Sequence, residues 1–197
     1  MSPILSGLGG ITVKGYGHFG PVRDTGAMFP LQVITVGPAG ASSVSFTNIP
    51  NTYTHLQVRL IGRDSPAATV GDLRFRFNSD SGNNYTYHSL QGDGSSAISV
   101  AQTATNYGRF GRNTLVASSS TASVFCANIV DILDYSNTNK NKTVRTLAGY
   151  DTNGSGRIEL LSSLWMSTSA ITSIEMVSDG GSFVQYTQFA LYGVKSA

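Results

Sequence analysis

From about Phe29 to its C-terminus the chain consists of short stretches in which apolar and polar residues alternate, separated by clusters of Gly, Asn, Asp, Ser and Pro. Side chains on an extended strand point to opposite faces in turn, so this period of two specifies strands with one face inward. Leu73, Phe75 and Phe77 against Arg74 and Arg76 give its clearest instance. No segment carries the 3.6-residue apolar period of an amphipathic helix. The pattern predicts an all-β fold, a jelly-roll-like antiparallel β-sandwich, with an up-and-down barrel as the alternative.

Strands are expected over 31–36, 44–49, 55–63, 73–77 and 85–90. A long strand over 124–135 is expected to be central, because both its faces are largely apolar. Residues 143–150 and 157–166 read as a hairpin about Asp151 to Gly156, and residues 171–177 and 183–194 as another about Ser178 to Ser182. The Gly/Ser/Ala/Thr-rich region 91–121 reads as a long loop with one or two short strands. That makes nine to eleven strands.

Residues 1–29 differ from this body. They hold Gly7, Gly9, Gly10, Gly15, Gly17, Gly20 and Gly26, a composition that loses too much entropy to fold alone. The same segment carries Ile4, Leu5, Leu8, Ile11, Val13, Tyr16 and Phe19, which a plain linker does not need. The reading is an assembly arm over 1–29 that orders on a partner surface, followed by a β-sandwich domain over 30–197. A frayed terminus is the plainer alternative.

Composition narrows the function. At 197 residues and 40 % hydrophobic content the chain can bury one proper core, while only 12 % of its residues are charged. The net charge of +2 comes from scattered Lys and Arg, so no basic stripe points to nucleic acid. No window is apolar for the ~18 residues that membrane insertion requires, and the N-terminus lacks the pattern of a signal peptide. Cys126, the one cysteine, sits in the apolar run Val124 to Ala127 and reads as a buried small hydrophobe.

The motifs that could carry chemistry are weak. Gly15, Gly17 and Gly20 spell a dinucleotide fingerprint, but Pro21 follows where a helix should open. Asp151, Asn153, Ser155 and Gly156 match the first half of a calcium loop; position twelve is Ser162 instead of Glu, so a hairpin turn is the better reading and weak calcium binding stays open. His18, His55 and His88 have no metal-ligand spacing. Asp131 and Asp134, three apart on one expected strand, point to opposite faces. No catalytic, cofactor or metal residue is assigned. Tyr85, Tyr87 and Tyr107 lie beside Asn/Gly-rich loops and are the candidates for an exposed contact surface, while Trp165 and most other aromatics read as core.

Three stretches carry a resemblance. Ile49, Pro50, Tyr53, His55, Leu56, Gln57 and Arg59 match an I-P-x-x-Y-x-H-L-Q-x-R segment, the run Phe77 to Tyr85 resembles the hairpin that follows it, and Gln188 to Gly193 resembles a closing strand. Met1 to Leu5 is similar to a short M-x-P-I-L-G opening, with Ser6 intervening before Gly7. Together these resemble tailed-bacteriophage virion structural proteins of the tail-fibre or decoration type. The resemblance implies a non-enzymatic protein of the virion exterior, made in the host cytoplasm. A tail-fibre or receptor-binding component meeting host surface glycan is the first expectation. A capsid decoration (cement) protein is the second, and a tail-associated glycan-active enzyme the third. The expected partners are two further copies in a homotrimer, packed through leftover Ile, Leu and Phe, and baseplate, tail or major capsid proteins.

Overall fold

The structure is a computed structural model, described here over residues 27–195. The arm residues Ile4, Leu5, Leu8, Ile11, Val13, Tyr16 and Phe19, with the Gly15–Gly20 motif, lie outside the described residues. Twelve strands follow. The first six are β1 (Met28–Thr35), β2 (Ser43–Phe46), β3 (His55–Gly62), β4 (Val70–Phe77), β5 (Tyr85–Gly92) and β6 (Ala97–Thr105). The rest are β7 (Gly108–Val116), β8 (Cys126–Ile132), β9 (Lys142–Asp151), β10 (Gly156–Trp165), β11 (Ile174–Ser178) and β12 (Gln188–Val194).

They form two sheets in which every named strand pair is antiparallel. The larger runs β1-β12-β3-β8-β9-β10-β5-β6 and the smaller β2-β11-β4-β7. The fold is thus an all-β sandwich of two sheets, not a single closed barrel. Leu73, Phe75 and Phe77 point inward from β4 as the alternation predicts. Phe75 stacks on Phe110 of β7 at 4.1 Å, and Phe77 meets Trp165 of β10 edge-on at 5.5 Å. A Cβ at Gly108 would lie 2.2 Å from the Phe75 ring, so only glycine lets β7 approach this closely.

Four expectations need correction. The region 91–121 is mostly regular: β6 and β7 are nine residues each and join different sheets. The final pair is not a hairpin, since β11 pairs with β2 and β4 while β12 pairs with β1 and β3. The connection crosses between layers because Phe183, wholly buried against Phe189 at 4.9 Å, pins it to the core end. The expected strand over 124–135 is shorter. Val124 belongs to a loop whose carbonyls, at Ser120, Thr121 and Val124, accept from the Arg63 guanidinium, and Asp134 turns the chain with φ 49°. Finally, the first strand begins at Met28, so Phe29 belongs to the sheet, 5.7 Å from the Tyr53 ring.

The turn at Asp151 to Gly156 is a hairpin with Asn153 at φ 60° and Gly154 at φ 123°, the Asn-Gly geometry that suits strand twist. The Asp151 carboxylate accepts from the Asn153 N–H at 2.7 Å.

Candidate assembly surface

The eight-stranded sheet has only four strands opposite it, and its outer face carries side chains in register rows. One row sets Arg59, Ile129, Leu147, Leu160, Leu90 and Ser99 side by side across β3, β8, β9, β10, β5 and β6. The next, toward the Gly62 end of β3, sets Ile61, Ala127, Gly149, Ile158, Gly92 and Ala97. Ile61, Ile129, Leu147, Ile158, Leu160 and Leu90 are between 42 % and 60 % exposed. Scattered exposed aliphatics need no explanation, but six in two adjacent rows form one apolar stripe. Five strands at about 4.8 Å spacing make it roughly 19 Å long.

The row on the other side is polar: Gln57, Asp131, Arg145, Ser162 and His88. Where Leu90 and Leu160 stand beside the small residues Ser99 and Ala101, the surface dips into a groove of about 570 Å³ bordered by Arg145, His88 and Ser162. Beyond the strand ladders, neither the Arg145 nor the His88 side chain makes a hydrogen bond or ion pair among the described residues, so both side chains can meet a ligand group.

At the β1 side the stripe is closed. The Arg59 guanidinium lies 5.4 Å from the centre of the Tyr192 ring, donates to Gln57 at 2.9 Å and contacts the Met28 sulfur at 3.9 Å. Gln57 in turn donates to Asp131 at 2.8 Å, and His55 Nδ1 accepts the Asp134 N–H at 3.0 Å. Lys140 donates to the Asp134 carboxylate and, by that hydrogen bond, holds it below the usual carboxylate range. Tyr53 covers Gly193, where a Cβ would come within 2.4 Å of its ring. Tyr53, His55, Gln57 and Arg59 therefore tie β3 to its neighbours; they are structural groups, and Asp134 lies in a turn, not on a strand with Asp131.

The tyrosines expected to form an exposed contact surface do not do so. Tyr85 and Tyr87 are buried, because the phase of β5 turns both toward the smaller sheet. Burial raises the pKa of the Tyr85 hydroxyl, outweighing the opposite pull of the Phe77 N–H that it accepts at 3.1 Å. Tyr87 lies under the Arg109 guanidinium at 4.9 Å and donates to Gln102 at 3.0 Å. Tyr107 is half-buried between Arg74, 4.0 Å away, and Arg109, 5.4 Å away. Those guanidinium groups are themselves paired with Asp179 and Asp72.

Other ionisable groups serve the core. Cys126 is buried and its thiol is pushed up to about 12 by desolvation. Burial raises the Asp80 carboxyl, but hydrogen bonds from Asn84, Trp165 and the Gly82 N–H outweigh it and leave the group lowered. Among the described residues no group of three or more His, Cys, Asp or Glu side chains is placed to hold a metal ion.

The arrangement suits one kind of chemistry, non-covalent association through a flat apolar face with a polar border. A signal for it was present: Leu160 and Leu161 are adjacent in β10, which puts one leucine on each face. The class that the fold defines is a two-sheet antiparallel β protein, here with an exposed apolar stripe on the outer face of its larger sheet. No family model, no curated protein and no solved structure matches the chain.

Proposed function

We propose that the chain is a non-enzymatic structural subunit of the exterior of a tailed-phage virion, held in place through the outer face of its larger sheet. The observation that carries the reading is the stripe from Ile61 to Leu90, whose six aliphatic side chains gain their full stabilisation only when another protein covers them. The resemblance of the stretches at Ile49–Arg59, Phe77–Tyr85 and Gln188–Gly193 supplies the virion context.

The strand order supports the jelly-roll reading within the sandwich. With hairpins β5–β6 and β9–β10 set aside, β1-β12-β3-β8 faces β2-β11-β4-β7. First strand then lies beside last and the chain alternates between layers, as in two nested Greek keys. The two hairpins widen one sheet only, and that widening carries the outer apolar stripe on from β3 and β8 across β9, β10 and β5. The residues ahead of Met28 act as the anchoring arm, and the assembled form is a homotrimer.

Between the two virion roles, capsid decoration takes first place. A cement protein works by burying apolar surface between subunits, whereas of the tyrosines Tyr85, Tyr87 and Tyr107 expected to meet glycan the first two are in the core and Tyr107 is half-buried between Arg74 and Arg109. Tail-fibre use stays as the second reading, favoured by the groove at Arg145 and His88. Particles made without the protein decide the matter. Loss of resistance to heat and osmotic shock supports decoration, loss of adsorption alone supports the fibre, and absence of the protein from purified wild-type particles overturns both.

A further inference from the structure

Sheet edges in this fold are guarded with one exception. β1 carries Pro30 and a register shift beside it, β2 is four residues long, and β7 is largely buried and irregular against β4. β6 (Ala97–Thr105) has no charge and no proline, is exposed along most of both faces, and keeps regular register from Ala97 to Gln102, shifting only ahead of Thr105. Its far side pairs with no named strand. Such an edge is a template for an added strand unless something covers it.

Upstream of the described residues the chain also holds a strand-like sequence. Ile11-Thr12-Val13-Lys14 alternates apolar and polar, is rich in β-branched residues, and is bounded by Gly9-Gly10 and Gly15. It lies upstream of Met28, which starts the opposite edge of the larger sheet. Seven strand spacings separate β1 from β6, about 34 Å. Thirteen residues, 15–27, separate Lys14 from Met28, and Gly-rich chains of that length span about 20 Å on average. Reaching the chain's own β6 would stretch them across the whole outer face, past the Arg59–Tyr192 barrier. Reaching the β6 of a copy lying beside β1 asks for much less.

We propose that Ile11–Lys14 of one copy adds as a strand to the β6 edge of its neighbour, linking copies head to tail. The contact is heterologous, so it closes into a ring when the rotation allows, the threefold ring being the case expected from the sequence. It rests on the reading of the chain as an assembly subunit, and it names the surface that receives the arm.

The test uses the full chain with a benzophenone-bearing side chain in place of Thr12, mixed from heavy-isotope-labelled and unlabelled protein and irradiated. Crosslinks from position 12 to residues 97–105 between chains of unlike label are expected. Crosslinks within one chain, to other surfaces, or none at all overturn the proposal. In parallel, Val13→Pro, which removes a ladder donor outside the folded body, is expected to reduce the light-scattering mass to that of the 20.8 kDa chain and to speed amide exchange in β6 by about tenfold or more. An oligomer indifferent to Val13→Pro sinks the strand addition and leaves the assembly reading intact. A wild-type chain that is monomeric at high concentration sinks both.

Discussion

On the inner face of the larger sheet Leu56, Val58, Val130, Val144 and Leu161 are at most 4 % exposed, while on the opposite face of the same strands Ile61, Ile129, Leu147 and Leu160 are at least 42 % exposed. The two sets are chemically alike and share one backbone. They differ only in what lies opposite: β4, β7 and β11 cover the inner face, and no described residue covers the outer stripe. Hydrophobicity on a strand therefore measures the wish for a partner, and the partner need not belong to the same chain. On the proposed reading, the outer stripe is the part of this protein that a partner completes.

Substitutions that contrast the faces test this reading most sharply. Phe110→Ala, which empties the stack with Phe75 and Phe77, should destabilise the isolated chain by about 3–5 kcal/mol in denaturant unfolding. A loss below 1 kcal/mol would mean that the layers do not pack as described.

Next in size is a pH effect at the rim of the core. Asp64 is fully buried, with one oxygen accepting from Ser178 and the other without a hydrogen-bond partner, and desolvation raises its carboxyl from 3.8 to about 6. The folded chain therefore holds this proton more tightly than the unfolded one. Stability should fall as pH rises from about 4 to about 6 and stay lowered above that, by roughly 3 kcal/mol in total. Asp64→Asn should flatten the unfolding free energy across that window, and an equal slope in both proteins would refute the assignment.

Lys142 comes third. Its buried ammonium donates to the carbonyls of Asn137 and Lys140 at 2.7 Å and of Thr168 at 3.1 Å, which closes the turn before β9. Lys142→Met leaves those acceptors without their donor and should lower stability by about 2 kcal/mol, read as a shift of the denaturation midpoint.

The smallest effect is expected on the outer face and is the most telling. Leu160→Ser and Leu147→Ser should each change the stability of the isolated chain by no more than about 0.5 kcal/mol, yet reduce its incorporation into particles. A core-sized loss of stability from either would erase the distinction between the faces.

Much of the architecture was legible because it depends on neighbours in sequence. The alternation through Leu73–Phe77, the Asn153-Gly154 turn and the interior place of Cys126 follow from residue identity within a few positions. The rest was hidden for separate reasons. β6 is written largely in Ala, Ser and Thr, and β7 opens on two Gly and two Arg with Asn113 following, residues that signal loops as readily as strands. The change of sheet between β11 and β12 is set by Phe183 reaching Phe189 and bridging to Ala41 and Asp64, contacts distant in sequence. Tyr85 and Tyr87 adjoin a polar loop in the sequence, but their strand phase points them inward. β8 was rightly placed inside the sheet for its apolar faces, although Ile129 on the outer one is exposed.

Sequence alone determined that the chain makes antiparallel strands, where they turn, and which residues share a face, because the direction of a Cβ along a strand is a local property of the backbone. Tertiary structure decided which face is covered. The smaller sheet is half as wide as the larger and lies on one side of it only, and burial is a relation between distant segments that no local pattern can express.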